Sequence, residues 1–122
     1  MKRFLSGLIA ASAILTAGGC YYDVEEDLYG PVICTTENQS YVHDVVPIIQ
    51  NNCYVCHAQG VNLGNVTLEG YNSLKVYVDN GKLVGVINHS SGFPQMPQGA
   101  SKLSDCNISK IEAWIDQGAL NN

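Results

Sequence analysis

From Tyr41 to Asn52 the apolar residues Val42, Val45, Val46, Ile48 and Ile49 fall on one helical stripe, which runs directly into Cys53. Pro47 leaves the start of that helix open. With Asp44 as N-cap, Pro47 occupies the first turn, where its missing N–H is not needed; with a start at Ser40, it kinks the helix. Beyond His57, residues Gly60, Asn62, Gly64 and Asn65 mark a loop. Tyr71, Leu74 and Val78 then share a helical face that Asn80-Gly81 can close, whereas Val76-Tyr77-Val78 and Leu83-Val84 around the same pair also suit a β-hairpin. The last segment is the clearest. Ser104 can cap a helix whose Ile108, Ile111, Trp114 and Ile115 form an apolar face, Leu103 and Ile108 have the spacing of a hydrophobic staple, and Gly118 suits the stop. Trp114 reads as core.

The first nineteen residues follow a different pattern. Lys2 and Arg3 precede an apolar run from Phe4 to Leu15, and small residues follow up to Gly19, the pattern of an export signal. The run falls short of the roughly 20 residues needed to cross a bilayer. Thr16-Ala17-Gly18-Gly19-Cys20 resembles a bacterial lipobox, in which the signal is cut before the cysteine and lipid is attached to its sulfur; Ala17 stands where Leu is commonest. The alternatives are an ordinary signal site, which leaves Cys20 a thiol, or an uncleaved anchor. Residues 21–40 begin Tyr21-Tyr22-Asp23-Val24-Glu25-Glu26-Asp27 and have no clear periodicity. The chain therefore divides into a lipoprotein signal peptide at 1–19, a lipidated acidic tether at 20–40 and a globular domain at 41–122. Such a protein lies outside the cytoplasm, lipid-anchored to a bacterial membrane on its periplasmic face or at the cell surface.

Charge narrows the partners. Cleavage removes Lys2 and Arg3, and the remaining Lys75, Lys82, Lys102 and Lys110 stand against eleven acidic residues, a net charge of −7. Nucleic acid is excluded as a partner on that balance, and a protein with a basic docking face is favoured, unless the charge serves only solubility. A globular part of about 80 residues is near the size at which a core needs a staple or a cofactor.

The cysteines supply both. Five are present, at 20, 34, 53, 56 and 106, an odd number that lipid on Cys20 makes even. Cys53-Tyr54-Val55-Cys56-His57 is a CxxCH, the spacing at which two thiols add across haem vinyl groups and the adjacent histidine reaches the iron. A CxxC pair also occurs in thioredoxin-like redox sites and as half of a zinc site. Zinc would want a second close Cys/His cluster, whereas His43 and His89 are isolated, and no βαβ pattern surrounds the pair. The expected cofactor is one covalently attached haem c. Cys34 and Cys106 remain, and in an oxidising compartment they are most simply a disulfide, the alternative being two unpaired thiols. A single CxxCH without internal repeats excludes a multihaem wire or a dihaem peroxidase, and no convincing acid/base pair points to an enzyme.

An electron-transfer haem needs a second strong ligand, and after processing Met96 is the one methionine left. It lies in Phe93-Pro94-Gln95-Met96-Pro97, a loop stiffened by two prolines. His89 is a rival ligand, His43 a weaker one, and Met96 as an ordinary apolar contact is the plainest alternative. A helix entering CxxCH, a methionine loop roughly 40 residues on and a C-terminal helix together resemble the small class I cytochromes c. The resemblance covers about residues 40–120 and is closest to single-domain cytochrome lipoproteins with a "PxMP" loop. It implies an all-α, cytochrome c-like fold in which the N- and C-terminal helices and the Met-bearing loop enclose the haem, with Cys53 and Cys56 attached to it and His57 and Met96 as the ligands of the iron. It also implies an electron carrier cycling between Fe(III) and Fe(II), fed by a dehydrogenase or quinol-oxidising complex and drained by an oxidase or reductase. The alternative is a haem-based sensor or gas-binding module in which a small molecule displaces Met96. The lipid, the tether and the Cys34–Cys106 bridge lie outside the family pattern and rest on the local arguments above.

Overall fold

A computed structural model of the chain describes residues 33–122. The expected signal at 1–19, Cys20 and the tether up to residue 32 lie outside the described residues. Those described form helices and no strand: a wide π-helical turn at Tyr41–Val45, α1 at Val46–His57, a short 3₁₀ turn at Leu63–Asn65, α2 at Tyr71–Asp79, α3 at Lys82–Ile87 and α4 at Asp105–Asp116.

The wide turn settles the position of Pro47. Ser40 caps it, accepting from the His43 N–H at 3.3 Å, while its own N–H donates to Asp44 Oδ2 at 2.8 Å. The amide of Val45 reaches back to the Ser40 carbonyl at 3.2 Å and that of Val46 to the Tyr41 carbonyl, a span one residue longer than in an α-helix. The α-helical path begins only at Val46, so Pro47 sits in the first turn of α1, where no N–H is required of it. The extra residue also rotates the expected stripe. Tyr41, Val45, Ile48 and Ile49 face the core, whereas Val42 is 52% exposed and Val46 only partly buried.

Tyr41 is the hub of packing at this end. Its ring meets Tyr71 edge-on at 5.2 Å and lies 5.7 Å from Trp114, which is almost fully buried. Trp114 donates its Nε1–H to the Leu120 carbonyl at 2.9 Å, and Tyr71 its hydroxyl to the Ala119 carbonyl at 2.8 Å, so neither polar tip is stranded in the core. On α4, Ser104 caps by accepting from the Asn107 N–H at 3.2 Å, and Ile108, Ile111 and Trp114 point inward with Leu103 buried ahead of the cap. Where the sequence left a hairpin open, Asn80-Gly81 instead ends one helix and starts another. Gly81 takes φ 72°, and Asn80 Oδ1 accepts from the Lys82 N–H at 3.0 Å. Leu74 and Val78 on α2 and Leu83 and Ile87 on α3 then enter the same core at helical spacing.

The compact unit runs from Cys34 to Asn122. Residues 34–40, which the sequence assigns to the tether, are fastened to the C-terminal cap of α4 by both ends of the Gln117 amide: its Oε1 accepts from the Gln39 N–H at 2.8 Å, and its Nε2 donates to the Thr36 carbonyl at 3.0 Å. Beside them Cys34 and Cys106 stand at disulfide distance, with Cα atoms 5.6 Å apart and a sequence separation of 72. Closing a loop of that length is worth about 4 kcal/mol in the chain-entropy model. The double variant Cys34→Ser/Cys106→Ser is therefore expected to unfold in urea with a free energy lower by up to about 4 kcal/mol. An unchanged midpoint, together with alkylation of both cysteines in denatured but unreduced protein, would contradict the bridge.

Candidate functional site

The last turn of α1 presents Cys53, Cys56 and His57 together, because positions three and four apart in a helix share a face. Both cysteines are half-buried and carry no disulfide. After His57 the chain leaves the helix in extended conformation at Ala58 and then folds back on it. The Leu68 N–H donates to the His57 carbonyl at 2.8 Å, and the Gln59 N–H donates to Glu69 Oε2 at 2.8 Å. The same return places the Val66 carbonyl 3.2 Å from His57 Nδ1. A carbonyl only accepts, so Nδ1 is the donor, and in the neutral ring this leaves the lone pair on Nε2, the arrangement that orients histidine ligands elsewhere.

The second half of the site comes from α3 and the loop after it. Ser90 N–H donates to the Gly85 carbonyl at 3.0 Å and Phe93 N–H to the Ser90 carbonyl at 3.2 Å, which lays the Phe93 ring over Gly85. A Cβ at Gly85 would stand 2.6 Å from that ring. Farther along, the Met96 N–H donates to the Val86 carbonyl at 3.1 Å, and His89 Nε2 donates to the Met96 carbonyl at 3.0 Å.

Two clefts meet at these residues, one of about 640 Å³ and one of about 400 Å³, and Cys53, His57, Val66 and Met96 line both. The smaller is walled by Leu68, Tyr77, Leu83, Val86, Ile87 and Phe93. The larger also takes in Cys56 and has a polar rim that includes Asn51, Asn52, Gln98, Lys102 and Asn107. Each volume lies in the range of small-molecule and cofactor sites. The structure thus gathers Cys53, Cys56, His57 and Met96. It does not bring in His43, which is exposed on the wide turn, or His89, whose Nε2 is taken by a carbonyl; neither lines either cleft.

The electrostatics separate the chemistries open to a CxxC pair. Burial pushes the Cys53 thiol up to about 11, and the neighbouring Cys56 adds to the shift. A dithiol redox site needs the opposite, a thiolate favoured near neutral pH. For zinc, three or four ligands must converge, and among the described residues no three His, Cys, Asp or Glu side chains do so. Sequence reasoning missed the Val66 carbonyl and the Gly85–Phe93 contact. A glycine inside the helical run Lys82-Leu83-Val84-Gly85-Val86-Ile87 is the signal that could have flagged the second, since such a glycine costs helix stability and marks a close approach. Comparison of the chain with protein-family models, curated proteins and solved structures finds no match in any of the three.

Gly85→Ala is expected to displace Phe93 and destabilise the protein by about 1–3 kcal/mol in urea unfolding, the usual cost of overpacking. In a Phe93→Ala background the same change should cost much less, because the ring it strikes is gone. Equal costs in the two backgrounds would show that the contact does not constrain the loop.

Proposed function

We propose that this chain is a membrane-anchored, single-haem c-type cytochrome that carries electrons outside the cytoplasm. The observation that carries the reading is the convergence of Cys53, His57 and Met96 on the shared lining of two clefts, with Cys56 beside them and His57 Nδ1 engaged by the Val66 carbonyl. The residues fit the group. Two unbridged thiols three apart could each form a thioether, an imidazole and a thioether sulfur could serve as ligands of the iron, and the apolar wall from Leu68 to Phe93 suits a macrocycle of low polarity. When bound, the haem supplies a one-electron Fe(III)/Fe(II) couple.

The chain's own residues then act as follows. Cys53 and Cys56 hold the group to α1, so its position is set by a rigid helix. The Val66 carbonyl fixes the plane and tautomer of His57. Leu68, Leu83, Val86 and Ile87 exclude water, which lowers the reorganisation that accompanies each electron. As a thioether ligand Met96 would raise the potential of the group relative to a second histidine, toward the oxidising end of a chain. Its partners are redox proteins with basic docking faces, a dehydrogenase or quinol-oxidising complex as donor and an oxidase or reductase as acceptor, met at the membrane to which Cys20 is lipidated. In the fuller form of the proposal, the N-terminal helix α1, the C-terminal helix α4 and the Met-bearing loop enclose the haem as in class I cytochromes c.

The visible spectrum tests this. Oxidised protein should show the weak long-wavelength charge-transfer band of thioether bound to ferric haem, and Met96→Ala should lose it with a fall in reduction potential. Carbon monoxide bound readily by reduced wild type, with Met96 displaced, would turn the reading toward a gas-binding module. The anchor is tested separately: Cys20→Ala is expected to move the protein from the detergent phase to the soluble fraction, and a mature N-terminus mapped elsewhere would refute lipidation at Cys20.

A further inference from the structure

We propose that His89 is the positioning residue for Met96, holding the sulfur toward the haem site through the Met96 main chain rather than serving as a ligand itself. The inference rests on the proposed ligation by Met96 and adds the device that makes it reliable. Both main-chain polar groups of Met96 are engaged, its N–H by the Val86 carbonyl in the last turn of α3 at 3.1 Å and its carbonyl by His89 Nε2–H, just beyond that helix, at 3.0 Å. With the backbone held at two points, only the Met96 side-chain torsions remain to be ordered when sulfur meets iron, which reduces the entropic cost of ligation.

The backbone of His89 points the same way. It adopts φ 57°, a left-handed conformation that few residues other than glycine occupy without support. Such a conformation persists where the surroundings over-determine it. Here the surroundings are those of the chain reversal: the His89 N–H returns to the Val86 carbonyl at 3.3 Å, the same oxygen that accepts from Met96. The left-handed turn sends the chain away from α3 at His89, and the imidazole bridges back to it seven residues later. The bond also decides the chemistry of the ring. A carbonyl acceptor requires a proton on Nε2, and a protonated nitrogen has no lone pair for iron. His57 and His89 are therefore used in opposite senses, the first donating from Nδ1 and keeping Nε2 open, the second closing Nε2 on the loop.

The test uses haem-loaded full-length protein and three variants, Met96→Ala, His89→Ala and His89→Gln, the last keeping a side-chain N–H donor. Nitrogen NMR of the reduced, diamagnetic wild type should find His89 Nε2 protonated, a measurement that decides even where a variant fails to fold. Imidazole is then titrated into each ferric protein as a competitor for the sixth position. Loss of one net hydrogen bond in His89→Ala should tighten apparent imidazole binding about fivefold, and His89→Gln should recover most of the wild-type value. Urea unfolding of the same variants separates loop positioning from general stability, since a purely structural role would move the midpoint while leaving competition at the iron unchanged. An unprotonated His89 Nε2, or imidazole affinity in His89→Ala equal to wild type, overturns the role of His89 while ligation by Met96 stands on its own band. Absence of that band from wild type, with no spectral change in Met96→Ala, overturns the ligation and this inference with it.

Discussion

The packing of Tyr41 between Tyr71 and Trp114 is the contact from which the rest of the structure follows. It fixes where the helical path starts, because the wide turn that opens at Tyr41 must both carry this ring inward and deliver Pro47 to the first turn of α1. With that start fixed, the twelve residues of α1 place Cys53, Cys56 and His57 at its far end with no freedom left in their register. The aromatic contact also joins three parts of the chain that are distant in sequence: the opening turn, α2 and α4. Large aromatic surfaces removed from water supply much of what a unit of this size can gain from burial. The Cys34–Cys106 pair and the two hydrogen bonds from the Gln117 side chain, to the Gln39 N–H and the Thr36 carbonyl, tie the preceding segment to α4 and its C-terminal cap.

The two loops that border the clefts are held by hydrogen bonds to the helices they leave. Loop 58–70 returns to α1 and places a carbonyl on His57; loop 88–97 returns to α3 and is gripped at Phe93 and Met96. Both loops thus use a histidine and a main-chain oxygen to fix a side chain that lines the two clefts. This division of labour suits the proposed electron carrier. A rigid aromatic core holds the scaffold, and the groups around the proposed redox centre are set in advance, so little would have to move when charge changes.

Much of this was legible in the residues, for physical reasons that can be named. The last helix was readable to its caps because Ser104, Leu103, Ile108 and Gly118 each have a local role that does not depend on the rest of the fold. The CxxCH spacing identified Cys53, Cys56 and His57 as one group because three and four residues span a helical turn. The start of α1 was not legible, since a π-helical turn has no periodic signature of its own and moved Val42 out of the expected stripe. Around Asn80-Gly81 the residues alone did not choose between hairpin and helix, since a left-handed glycine serves either; the family resemblance favoured helix, and helices flank the pair. The role of His89 was hidden for a different reason. A histidine near a methionine loop looks like a competing ligand in sequence, and only the position of a carbonyl oxygen turns it into a support.

Everything proposed for the site depends on covalent attachment at Cys53 and Cys56. The most direct measurement is the intact mass of the protein, matured with a c-type haem assembly system and sprayed from denaturing acid, beside that of Cys53→Ala/Cys56→Ala. Wild type should carry the mass of one haem through denaturation and the double variant should not. A wild-type mass equal to that of the polypeptide and its lipid alone would contradict the central claim.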